Sequence, residues 1–84
     1  MTYFIHFDVT VIAMERGIAN RVSMNDFIGV DPFYRNEFLK EKFSEAIQKY
    51  IDINKEKIFR QVYSELKWEE GTVFLDKIIS IHKI

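Results

Sequence analysis

From Tyr3 to Ile12 the side chains alternate in character. Tyr3, Ile5, Phe7, Val9 and Val11 fall on one side of an extended chain, and Phe4, His6, Asp8, Thr10 and Ile12 fall on the other. Period two in aromatic and β-branched residues predicts a strand over residues 2–14. Glu15, Arg16 and Gly17 then mark a tight turn, with Gly17 free to take a positive φ. Ile18, Asn20, Val22 and Met24 carry a weaker alternation, which predicts a second strand antiparallel to the first. Asn20 and Arg21 suit it to a sheet edge.

Residues 25–31, NDFIGVD, read as a connection. Asp31-Pro32 then supplies a helix start, with Asp as N-cap and Pro in the first helical position. Beyond it the period changes. Phe38, Leu39, Phe43, Ala46, Ile47, Tyr50 and Ile51 recur at helical spacing, and Ile58, Phe59, Val62, Tyr63 and Leu66 form a second stripe. Glu45–Lys49 and Glu56–Arg60 are favourable pairs four residues apart.

The polar run DINKEK, residues 52–57, separates the stripes and admits two readings. Either Asn54 caps a second helix that folds back, or one helix runs from 32 to 67. Ile51 and Ile58 are seven apart, so the helical phase permits continuity. A helix of that length would reach about 54 Å, against ~30 Å for a compact domain of this size. The break is therefore preferred. Lys67 suits a helix C-terminus, and Gly71 restarts the chain. In TVFLDKIISIHK, residues 72–83, Val73, Leu75, Ile79 and Ile81 alternate with Phe74, Asp76, Ile78, Ser80 and His82, and Lys77 interrupts the pattern. The expected architecture is α+β, one small domain over 1–84 in the order β-β-α-α-β. A mostly antiparallel three-stranded sheet has its first strand in the middle and one or two helices on one face.

Composition narrows the function. The 84 residues are 48% hydrophobic with a net charge of −1 and no cysteine. Disulfides and thiolate metal sites are excluded, so stability must come from packing or association. Eight Phe, four Tyr and one Trp supply a dense core. No apolar run approaches the ~18 residues of a membrane span, and no secretory signal pattern is present; a cytoplasmic location is expected. Twelve Lys and Arg are interleaved with thirteen Asp and Glu, with no basic stripe, which disfavours nucleic acid as a partner.

Four groups merit attention as candidate chemistry. His6, Asp8, Asp76 and His82 would share the sheet face away from the helices. They read as scattered polar residues rather than a metal or acid–base site. Phe4, Ile12, Met14, Phe74 and Ile78 share that face, with Ile84 as a candidate addition, and an apolar patch in water marks an interaction site unless a helix or the 25–31 segment folds over it. Phe27-Ile28-Gly29-Val30 reads as a loop anchored to the core, with a binding loop as the alternative. Glu37, Glu41 and Glu45 read as solvent-facing. There is no phosphate loop, nucleophile elbow or Cys nucleophile.

The expectation is therefore a non-enzymatic regulator or inhibitor, in kind like small phage- or mobile-element-encoded proteins. It would bind another protein, a second copy of itself, or both, with no cofactor and no metal. Its interface would be Phe4, His6, Ile12, Met14, Phe74, Ile78 and His82. The alternatives are a nucleic-acid- or nucleotide-binding regulator and a purely structural assembly subunit.

Overall fold

The computed structural model describes residues 1–14, 16–30 and 39–84. Strand β1 (Thr2–Ala13) and strand β2 (Ile18–Gly29) form a hairpin. Helix α1 (Leu39–Val62) follows, and a single 3₁₀ turn (Trp68–Glu70) leads into strand β3 (Gly71–Lys83). The sheet is antiparallel with strand order β2-β1-β3. The most apolar strand is central, as its composition requires, because it alone has neighbours on both edges.

The hairpin closes as the sequence predicts. The Arg16 and Gly17 amides both donate to the Ala13 carbonyl, at 3.1 and 3.0 Å, and Gly17 has φ 62°. That conformation costs a residue with a Cβ but costs glycine nothing sterically. β1 and β2 then pair through twelve residues without irregularity, from Ala13 opposite Ile18 to Thr2 opposite Gly29.

The predicted connection over 25–31 is thus strand as far as Gly29. Asn25 and Asp26 resemble turn residues, but both are accommodated in the ladder. Asn25 stands opposite His6, and Asp26 accepts a hydrogen bond from the Tyr50 hydroxyl on α1. Ile28 and Val30 are buried and act as anchors, whereas Phe27 is exposed. The Met1 ammonium donates to the Val30 carbonyl, and the Val30 amide donates to the Met1 carbonyl, extending the pairing by a step.

The expected helix break does not occur. α1 runs unbroken through residues 52–57. Ile51 and Ile58 are both fully buried, so the seven-residue spacing keeps one seam facing the sheet. Asn54 does not cap; its side-chain amide donates to the Tyr50 carbonyl one turn back, at 2.8 Å. Gln48–Asp52, Lys55–Asp52 and Arg60–Glu56 contacts tie the solvent side together. The length objection fails because the domain is elongated. Its extents are 44 × 21 × 19 Å and its radius of gyration is 13.9 Å. Strands of twelve or thirteen residues span about 40 Å, and a 24-residue helix of about 36 Å lies along them. The helix ends at Val62, within the second stripe. Tyr63 and Leu66 still pack on the core from the following turn, and Lys67 precedes the 3₁₀ turn instead of ending the helix. The Asp31-Pro32 start, Phe38 and Glu37 lie outside the described residues.

One core fills the space between helix and sheet. Tyr3, Ile5, Phe7, Val9, Val11 and Ala13 face it from β1, and Phe43, Ile47, Ile51, Ile58 and Phe59 face it from α1. Full burial of such side chains contributes roughly 1.5–3 kcal/mol each. Edge-to-face ring contacts, Tyr3 with Phe43 and Phe7 with Tyr50, align the two layers. At the far end Phe59 sits against Tyr63 and Trp68, so Trp68 serves packing.

A candidate protein-interaction face

β3 does not keep a single alternation. Its pairing with β1 shifts register twice, and Asp76 and Ile79 have no opposite residue on β1. Each extra residue flips the faces that follow. Val73 and Leu75 face the helix; after the first bulge Lys77 faces away and Ile78 faces the helix; after the second, Ser80 and His82 face away. This corrects the predicted faces of β3. Ile78, expected on the open face, is opposite Phe7 and packs on the core, while Ile79 is left exposed.

The open face consists of cross-strand rows. At one end Phe4 lies between Phe27 and His82, with the two rings 5.0 Å apart. His6 follows, between Asn25 and Ser80. In the middle Asp8 lies between Ser23 and Lys77. Thr10 is flanked by Arg21 and Phe74, and Ile12 by Ala19 and Thr72. Met14 follows in the hairpin turn, 69% exposed.

The middle of this face is polar and internally satisfied. Asp8 is only 6% exposed although no described helix covers it. Ser23 donates to its carboxylate at 2.6 Å, and Lys77 opposite supplies positive charge. Arg21 reaches across β1 to Asp76, at 2.9 Å. These bonds hold the carboxylates with protein partners. Among the described residues, no group of three or more His, Cys, Asp or Glu is placed to hold a metal ion. The predicted quartet is therefore divided: Asp8 bonds Ser23, Asp76 bonds Arg21, and the two histidines stand opposite Ser80 and Phe4.

Six of the seven candidate interface residues, Phe4, His6, Ile12, Met14, Phe74 and His82, lie on the open face or at its rim; Ile78 does not. The apolar positions are not one continuous patch. They form two ends, Phe4–Phe27 and Ile12–Phe74–Met14, with the ion-paired middle between them. Phe27 is 60% exposed and Phe74 39%. Phe27, expected in a loop, instead stands on β2 opposite Phe4 and belongs to this face. The hairpin itself carried the signal, because pairing Ala13 with Ile18 places Phe27 opposite Phe4.

The covered face has its own polar device. Asn20 and Asp26 of β2 point toward α1, where the Asn20 amide donates to the Tyr63 hydroxyl and the Tyr50 hydroxyl donates to Asp26. The Tyr50 bond, reinforced by the Phe27 amide, holds Asp26 below the usual carboxylate range. Burial first, then Asp26 itself, pushes Tyr50 up to about 12. Three clefts among the described residues measure about 180, 110 and 240 Å³, each below the usual ~300–1,000 Å³ of a small-molecule site. No described helix is long and apolar enough to cross a membrane. No family model, curated protein or solved structure matches the chain.

Proposed function

We propose that this chain is a non-catalytic protein-binding regulator or inhibitor, which uses the open face of its sheet to cover a functional surface of a partner protein. The observation that carries this reading is the pairing of exposed Phe27 and Phe74, at opposite ends of the face, around an ion-paired middle. Aromatic anchors contribute most of the energy in protein interfaces, and polar groups between them set register and orientation. Rigidity favours the same role. The anchors stand on strands locked by a buried core, so little side-chain order has to be gained on binding.

The test is affinity capture from the source organism, comparing the wild-type chain with a Phe27→Ser/Phe74→Ser double variant whose melting temperature is unchanged. Both positions are exposed, so the variant keeps the core. A protein recovered by the wild type and lost with the variant supports the reading. Equal recovery with both chains, or no specific partner, overturns it.

A further inference from the structure

The two outer edges of the sheet, β2 and β3 among the described residues, are built differently. β3 carries two bulges and Lys77, and the Leu75 amide donates to the Gln48 side chain of α1 at 3.3 Å. Bulges, lysines and covering groups are what keep an edge from pairing with another strand. β2 has no bulge and no lysine, and of its outward amides only that of Phe27 is shown engaged by a side chain, the neighbouring Asp26 carboxylate. It runs twelve residues in unbroken register, contains no Pro or Lys, and lies farther from the helix than β3 does. Among the described residues no strand lies beyond it.

The sequence of β2 is also a palindrome of polarity about Ser23. Outward from that residue stand Val22 and Met24, then Arg21 and Asn25, Asn20 and Asp26, Ala19 and Phe27, and Ile18 and Ile28. Each pair matches in character. We infer that the outer edge of β2 is a homodimer interface, at which a second copy pairs antiparallel about a two-fold axis at Ser23 to give one six-stranded sheet.

The backbone agrees with this register. The Phe27 amide bonds the Asp26 carboxylate at 2.7 Å and not β1, so the odd-numbered residues of this regular ladder direct their amides to the outer edge. In an antiparallel pair, opposite residues must be of the same kind, both hydrogen-bonded across the pair or both not, and must lie on the same face. Pairing Ser23 with Ser23 of the second copy meets both conditions and leaves both helices on one side. It places Val22 against Met24 and Ile18 against Ile28 on the helix side, and Ala19 against Phe27 on the open side. Arg21 meets Asn25, and Asn20 meets Asp26, so polar positions face polar ones. The two copies are related by symmetry and the contact is closed, which stops assembly at a dimer along this edge. This inference does not depend on what the open face binds.

The absence of cysteine provides a clean test. Ser23→Cys puts one thiol beside its own symmetry mate, at the roughly 5.5 Å Cα separation of a bonded pair, within disulfide range. Arg21→Cys is the control, because its two thiols would stand four residues apart along the strands, about 13 Å. The expected results are a wild-type mass of twice 10.1 kDa by sedimentation equilibrium and oxidative cross-linking at position 23 but not at 21. On the unmodified chain, hydrogen exchange at the Arg21, Ser23 and Asn25 amides should slow as concentration rises. A monomer at all concentrations overturns the inference. So does a dimer that cross-links at 21 rather than 23, or one whose β2 amides exchange independently of concentration.

Discussion

Replacing Gly71 by alanine tests how tightly α1 is seated where β3 begins. Gly71 has φ −117°, which any residue adopts, so the backbone raises no objection. The objection is space. A Cβ there would lie 2.3, 2.5 and 2.9 Å from three ring carbons of Phe59. Carbon atoms in contact prefer about 3.5–4.0 Å, so the ring would have to retreat by more than about 1 Å. Phe59 is fully buried between the rings of Tyr63 and Trp68, at 5.4 and 5.6 Å, and has little room to do so. Overpacking of this kind costs ~1–3 kcal/mol. Lost freedom of the unfolded chain returns ~0.4–1 kcal/mol. The net loss is therefore about 1–2 kcal/mol, a fall in melting temperature of roughly 5–15 °C for a domain this small. Thermal denaturation followed by circular dichroism measures it. Phe59→Leu removes most of the clashing ring, so in that background Gly71→Ala should cost less than half as much. A Gly71→Ala chain as stable as wild type, or an equal loss in both backgrounds, refutes the packing argument.

Three further outcomes follow from the same structure. Gly17→Ala should lose about 1 kcal/mol in chemical denaturation, because Gly17 holds φ 62° with nothing within 4 Å, leaving backbone conformation as the only cost. Ile47→Ala should cost ~2–5 kcal/mol, since Ile47 is fully buried, whereas Ile53→Gln, at a position 76% exposed on the same helix, should change stability by less than about 0.5 kcal/mol. Tyr50→Phe should cost about 1 kcal/mol near neutrality, and the cost should depend on pH in a defined way. Asp26 is depressed from 3.8, so its share is present above pH 3.8 and is lost as pH falls through its lower folded value. Tyr50 is raised from 10.0 to about 12, so its share is full below pH 10 and is lost as pH rises towards 12. Denaturation of both chains across pH 2–12 should show the difference shrinking at each extreme; a pH-independent difference would sink the pairing.

The parts of the fold legible in the sequence are those set by one uninterrupted period. β1 alternates without error and lies where its apolar character puts it. The turn at Gly17 needs only a residue that tolerates positive φ. Two kinds of feature misled. Polar residues at 52–57 and 25–26 read as interruptions because their partners, Tyr50 for both Asn54 and Asp26, are remote in sequence or depend on an assembled helix. The bulges of β3 left a trace, Lys77 on an apolar face, but the trace does not say which neighbour is the extra residue. Ile78 and Ile79 have nearly the same composition around them, and only pairing with β1 separates the packed one from the exposed one. The candidate face was legible as a set of β1 positions; its polar centre depends on Ser23 and Arg21 of β2 reaching Asp8 and Asp76.

The position of β1 in the middle of the sheet also orders events during synthesis. β1 leaves the ribosome before the other strands and can pair at once with β2, through a short local turn. Its other edge has to wait for β3, which follows the whole of α1. Until then the nascent chain presents an apolar strand with one open edge, the state most prone to wrong partners. The helix emerges in that interval and can cover the apolar side of the hairpin, but only β3 closes the ladder. Completion of the fold therefore waits for β3, and the long-range closure should govern the folding rate.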